Sequence, residues 1–312
     1  MRGADVFHHP ERSLPTLEDF RAAATRIAPY VRRTPVLRAT VDGRPVTLKL
    51  EHLQVTGVFK IRGALNALLT AQPARVITAS GGNHGLGVAT AARWLDIPAT
   101  VFVPGTVPEV KARRIAAAGA DVVRTGSKYA DADHAARELA DREGLYYVHA
   151  YDDPPVVAGQ GTVGLEIASD VSDADVVAVP VGGGGLLAGV SGAIAPRRSV
   201  AVEPEGCPTL HAAVEAGMPV EVGADSVAAS ALGASRVGDL ALAAYRANPV
   251  GLALVSDQEI LAARDRLWED FRLAVEPAAA TVFAAWLAGR VLGENPCLLL
   301  SGANADWVPL SS

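Results

Sequence analysis

Cysteine is scarce in this sequence of 312 residues: Cys207 and Cys297 are the two present. They stand far apart and lack the paired spacing of a zinc site, so neither a disulfide framework nor a zinc module is expected to organise the fold. Both read as buried packing residues in a reducing, cytoplasmic setting. Aromatic residues make up only 5% of a chain that is 50% apolar, which describes a compact globular protein with an aliphatic core. Positive charge is not in excess either. Twenty-eight Lys and Arg against 34 Asp and Glu give a net charge of −6, which argues against nucleic acid as a partner because phosphate neutralisation needs clustered cations. The tightest basic group, Lys111, Arg113 and Arg114, reads as a solvated helix face. No segment behaves as a leader or a membrane anchor. The opening MRGADVFHHPERSLP has no apolar centre, and the uncharged run 176–196 is interrupted by Pro180 and four consecutive glycines that would break a spanning helix.

What remains is strand and helix in alternation. A chain of this length exceeds what one core usually supports, so two domains are expected. Thr16 and Asp19 mark a helix start for 16–31, and TLKLE (47–51) reads as a strand. RVITAS (75–80), ATVFVP (99–104), DVVRTG (121–126) and YYVHA (146–150) are short apolar runs separated by helical patterns such as EVKARRIAAAG. A second series follows: helix GQGTVGLEIASD, strand DVVAVPV, helix LLAGVSGAI, strand SVAVEPE and helix PTLHAAVEAG. Later come a capping-box start at SDQE (256–259) and the final strand PCLLLSG. Such alternation predicts an α/β fold with open, mostly parallel sheets covered by helices on both faces. The segment 212–250, rich in Ala, Gly and Ser, shows no clear period.

In sheets of this kind ligands bind beyond the carboxyl ends of the strands, where loops meet helix N-termini. Three such loops stand out. Gly182, Gly183, Gly184 and Gly185 follow the strand DVVAVPV and precede an apolar helix led by Leu186. Four residues without side chains let backbone N–H groups approach an anion at the positive end of that helix, a phosphate cradle. It is neither a P-loop nor a spaced dinucleotide fingerprint, and as a bare loop it could also be simple flexible chain. Ser80, Gly81, Gly82, Asn83 and His84 form a second anion loop, suited to a substrate carboxylate. His84 reads there as a structural hydrogen-bonding residue rather than a catalyst. Lys60, among Val58, Phe59 and Ile61 at the start of the helix FKIRGALNALLTA, would have its amine depressed by apolar neighbours and a helix N-terminus, as Schiff-base chemistry requires. Alone it would be an ordinary surface lysine.

Together, in this order, the segments resemble the fold type II pyridoxal phosphate enzymes, the tryptophan synthase β-like fold. Within them they are most similar to the threonine and serine dehydratases and their serine racemase relatives. TGVFKIRGA resembles the cofactor-lysine segment, SGGNHG the asparagine loop, GQGTVGLEI a family helix, GGGG the phosphate loop, VEPAAA a segment near the ring, and SGAN the pyridine-nitrogen segment. The resemblance implies a two-domain chain, with 53–149 as the small domain, carrying the asparagine loop, and 1–52 with 150–312 as the large one. It implies pyridoxal 5'-phosphate as cofactor, held by Lys60 as a Schiff base. Phe59 packs beside it, Asn83 bonds the ring hydroxyl, Gly182 to Gly185 with Leu186 hold the phosphate, Glu276 lies near the ring, and Ser301 faces the pyridine nitrogen. A small amino acid would bind through Ser80 to His84, and a homodimer is expected.

The implied reaction is loss of water from a small L-hydroxy-amino acid, with Lys60 as base on Cα, giving a 2-oxo acid and ammonia. Departures from the family pattern qualify it. The racemase carries a second serine where this chain has Gly81, so the proton donor on the opposite face is missing. Val58 and Ala279 replace the usual serine and glycine. Some relatives bind a cation through a Glu matched here by Glu203, but the later acidic position is Thr209, and no metal is expected. Competing readings are a serine racemase or β-replacing enzyme of the same fold, or a non-catalytic cofactor- or nucleotide-binding protein. The substrate's side-chain pocket, near His52, Ala150 and Tyr151, is not legible.

Overall fold

The structure, a computed structural model, describes residues 13–304; the opening residues read above for a leader lie outside them. The elements run α1 (Leu17–Ile27), β1 (Val36–Val41), β2 (Arg44–Lys49), α2 (Lys60–Ala71), β3 (Val76–Ala79), α3 (Asn83–Trp94), β4 (Ala99–Val103), α4 (Glu109–Ala117), β5 (Asp121–Arg124) and α5 (Tyr129–Glu143). They continue through β6 (Tyr146–Tyr147), α6 (Pro154–Asp170), β7 (Val176–Pro180), α7 (Gly185–Ile194), β8 (Arg198–Pro204), α8 (Thr209–Ala216), α9 (Ala229–Leu232), α10 (Asp239–Ala247), β9 (Val250–Val255), α11 (Asp257–Phe271), α12 (Pro277–Leu287) and β10 (Pro296–Leu299). The fold is the α/β type expected. A six-stranded sheet has the order β1-β2-β10-β7-β8-β9, and a four-stranded sheet the order β5-β4-β3-β6. Every pairing is parallel except β1 with β2. The central strands β3, β4, β7 and β10 are buried on both faces, which is why they read as unbroken apolar runs.

Several boundaries differ from expectation. The first helix ends at Ile27, four residues short of Val31, although its capping box is present: Thr16 N donates to Asp19 Oδ2 at 2.7 Å and Asp19 N to Thr16 Oγ1 at 3.3 Å. The antiparallel β1 was not read at all. Its signal was Asp42-Gly43, both at positive φ (52° and 74°) in a two-residue turn that pairs Val41 with Arg44. The run at 146–150 forms only a two-residue edge strand, because from Val148 onward the chain leaves the sheet and carries the Ala150 carbonyl to Lys60. The illegible segment holds α8's end, α9 and α10, and β9 follows it. The run 176–196 is strand, loop and a ten-residue helix, and among the described residues no helix is long and apolar enough to cross a membrane.

Helix α6 is buried along most of its length and lies between α2 and α7. Gly159 permits this: a Cβ there would stand 2.5 Å from the Arg62 carbonyl of α2. A buried ionic group locks the same contact. Arg62 donates to both Glu51 oxygens (2.9 and 2.7 Å) and to Glu166 Oε1 of α6 (2.7 Å), while Lys49 of β2 donates to Glu166 Oε2 (2.6 Å) and to the Thr34 carbonyl (2.7 Å). Two cations and two carboxylates balance. This group fixes α2, and hence Lys60 at its first residue, against the large sheet.

Candidate active site

The loops singled out in the sequence all leave the carboxyl ends of their strands and converge. β3 runs into Ser80–Gly82 and α3, β7 into the glycine loop and α7, and β10 into Ser301–Asn304. Phe59, Lys60, Asn83, Gly182, Gly183, Gly184, Gly185, Leu186, Glu276 and Ser301 line one cleft. Tyr151 completes its wall. Helices α2, α3 and α7 begin at this cleft without a side-chain cap, so the positive ends of their dipoles are left to a ligand.

Lys60 donates to the Ala150 carbonyl at 2.7 Å, and its Nζ stands 5.3 Å from the centre of the Phe59 ring. Burial pushes its amine down to about 8, with Glu276 opposing the shift. A usable fraction is therefore uncharged near neutral pH. Ser301 is buried beside it, its carbonyl accepting from Phe59 N at 3.2 Å, and Val58 pairs with Gly302 in an isolated bridge. That bridge is how the last strand and the lysine segment become neighbours.

The glycine loop has no room for side chains. A Cβ on Gly183 would stand 2.2 Å from the Tyr151 ring, and Gly184 adopts φ +85°. Asn83 gives its amide to Glu276 at 3.1 Å on each oxygen, and its Oδ1 accepts from Asn304 Nδ2 at 3.0 Å. Sequence reasoning named Glu276 but missed Asn304, which also donates to the Thr56 carbonyl at 2.9 Å. Glu276 is buried, and that burial raises its pKa.

The remainder of the asparagine loop turns differently. Gly81 and Gly82 border a neighbouring cavity, which shares Asn83 and Glu276 with the cleft. Of the basic group expected on a solvated face, Arg113 and Arg114 are exposed and Lys111 half-buried; Lys111 and Arg114 also border this cavity, and Arg113 pairs with Glu109. Ser80 Oγ accepts from Gly82 N at 3.2 Å. His84 is buried, with Nε2 3.0 Å from Thr78 Oγ1 and 3.2 Å from the Val148 carbonyl. A carbonyl can only accept, so Nε2 carries the proton. Burial pushes this ring down to about 3, and it is neutral. A Cβ on Gly81 would lie 2.3 Å from Val107 Cγ2, so valine methyls fill the space a longer residue would take. Glu203 turns both oxygens to protein donors: Leu210 N (2.7 Å) and His211 N (2.9 Å). Both cysteines are free and buried.

Residues 27–302 match the family described as "Pyridoxal-phosphate dependent enzyme". An L-threonine ammonia-lyase of Geobacter sulfurreducens is 39% identical over 93% of this chain and 75% of its own length. A phenylserine dehydratase of Ralstonia pickettii is 37% identical over 94% of each. Among solved structures, a threonine deaminase of T.th. superposes with a TM-score of 0.89 at 37% identity, covering 95% of this chain and all (100%) of that one.

Proposed function

The chain belongs to the pyridoxal-phosphate-dependent enzyme family, and on that premise we propose an ammonia-lyase that removes water from a small L-hydroxy-amino acid, threonine or serine. The products are a 2-oxo acid and ammonia. The observation that carries this reading is the meeting of an amine depressed to about 8, a side-chain-free anion loop and a neutral buried serine in one cleft. These residues fit the cofactor. The glycine loop could not hold larger residues, and the lysine is in part uncharged, as attack on an aldehyde requires.

When bound, pyridoxal phosphate supplies an electron-accepting ring that acidifies the Cα–H of an amino acid joined to it. Gly182 to Gly185 and the start of α7 would hold the phosphate, with Leu186 and Phe59 beside it, and Lys60 would be the residue that holds the cofactor. With its amine free, Lys60 would be placed to take the Cα proton, and the β-hydroxyl would leave as water on receiving a proton from solvent. Ser301 would offer the ring nitrogen a neutral hydroxyl, which would enforce less protonation than a carboxylate and so favour elimination over transamination. The loop from Ser80 to Asn83 holds the substrate carboxylate through backbone N–H groups. His84, tied to Val148 and Thr78, anchors that loop rather than touching substrate. Gly81 has no side chain to act as a proton donor, and a Cβ there would meet Val107. This favours elimination over the racemase reading.

Purified protein given a panel of threonine, serine, phenylserine and 3-hydroxyaspartate should release the matching oxo acid from at least one. A panel without product from protein carrying cofactor refutes the activity, and chiral chromatography of recovered serine tests racemisation. A homodimer in the cytoplasm completes the proposal, supported by the family resemblance and by two unpaired, buried thiols.

A further inference from the structure

The glycine loop can bind a phosphate only if its N–H groups face the cleft, and each peptide plane fixes an N–H opposite the preceding carbonyl. Three carbonyls of the loop are tied. Gly183 O accepts from Gly238 N at 3.0 Å, and Gly184 O from Ala188 N at 2.9 Å. Gly182 O is held by a side chain: Thr209 Oγ1 donates to it at 2.5 Å. Gly182 O and Gly183 N–H share one peptide, so the threonine decides where that N–H points.

Thr209 is itself held. It opens α8, whose N-cap is Pro208 and has no side-chain cap of its own. Glu203, on the neighbouring strand β8, caps the helix from outside by accepting from Leu210 N and His211 N, and its Oε1, 3.0 Å from Thr209 Oγ1, is a second acceptor for the one hydroxyl proton, whose shorter contact is with Gly182 O. Both residues are buried (Thr209 0% and Glu203 1% exposed). Among the described residues no group of three or more His, Cys, Asp or Glu is placed to hold a metal there.

We propose that Thr209, clamped by Glu203, is a positioning residue that turns the Gly183 N–H toward the cofactor phosphate and so sets cofactor affinity. This rests on the reading of the cleft as a pyridoxal phosphate site and not on which amino acid is eliminated. The test is cofactor titration of the apoprotein by absorbance, with pyridoxal phosphate and with pyridoxal, which lacks the phosphate. Thr209→Val should weaken pyridoxal phosphate about tenfold, the scale of one lost hydrogen bond that leaves a buried carbonyl unpaired. Pyridoxal binding should change less than about twofold, and the phosphorus resonance of the bound cofactor should move. Thr209→Ser should restore all three. Equal weakening of both compounds, or none of either, overturns the proposal. If Thr209→Val does not fold, Thr209→Ala against Thr209→Ser reads the same difference. Wild-type protein that binds neither compound would refute the cofactor site itself, whereas failure of the substrate panel would leave these binding results standing.

Discussion

Arg62 offers the sharpest test of what fixes Lys60. It lies two residues after Lys60 on α2, is 1% exposed, and makes five hydrogen bonds, to Glu51 (two), Glu166, Thr162 and the Arg32 carbonyl. Replacing it with methionine keeps a side chain of similar length and removes the charge. Glu51 and Glu166 are then left with Lys49 alone, a buried excess of one negative charge. Breaking a buried ion pair in this way costs about 3–5 kcal/mol, a large part of the roughly 5–15 kcal/mol that holds a folded protein. The melting midpoint of the apoprotein should fall by roughly 5 to 8 °C. The double variant Arg62→Met/Glu51→Leu restores neutrality, because Lys49 and Glu166 remain a pair at 2.6 Å. It should recover part of the loss, although Thr34 Oγ1 then loses its bond to Glu51. A single variant that melts within about 2 °C of wild type, or a double variant as unstable as the summed singles, would refute the claim that charge balance locks α2.

Other consequences are more direct. Lys60→Ala should abolish both oxo-acid release and the visible absorbance of the tethered cofactor, read in one spectrophotometer cell; retention of either removes Lys60 from its role. Because the free amine is the nucleophile and burial holds it at about 8, capture of cofactor by the apoprotein should accelerate as pH rises from about 6.5 to about 9 and level off above, as stopped-flow absorbance would record. His52 and His84 are pushed by burial to about 4 and about 3, below the value of about 6.5 they have when unfolded. In that window the unfolded chain binds more protons, so their share of stability is present above about pH 6.5 and drains away as pH falls toward about 4. A His52→Gln variant should lose less stability across that window than wild type in thermal melts. Gly183→Ala would drive a methyl into the Tyr151 ring and should lower cofactor affinity by at least about tenfold in equilibrium titration.

How legible all this was depends on whether local chemistry or tertiary contact made the choice. The strands buried on both faces, the capping boxes at Thr16 and Ser256 and the glycine loop are written in adjacent residues, and the sequence shows them. The hairpin turn at Asp42-Gly43 was equally written and was overlooked. By contrast α10, amphipathic in itself, sits in a stretch whose flanks show no period, and its start is set from elsewhere: Asp152 Oδ1 accepts from Leu240 N at 3.0 Å across 88 residues. The same holds within the site. Lys60, Asn83 and Ser301 could be named from their motifs, and Asn304, which orients Asn83, closes the SGAN motif without having been given a role; no motif marks the Ala150 carbonyl that receives Lys60.

Thr209 carries that distinction furthest. In the sequence it stood as a missing acid, a departure from the cation-binding relatives and nothing more. In the fold its hydroxyl reaches a carbonyl 27 residues earlier in the chain, and Glu203, which looked like half of a metal site, becomes the cap of a helix that has none of its own. A carboxylate and a hydroxyl can hold one peptide plane as a cation might hold a loop. Addition of chelator should therefore leave cofactor affinity unchanged in wild type, while Thr209→Val should lose affinity whether or not divalent cations are present. Recovery of that variant by added calcium or magnesium would show that the loop still answers to a metal, and the brace would then be only a supplement to it.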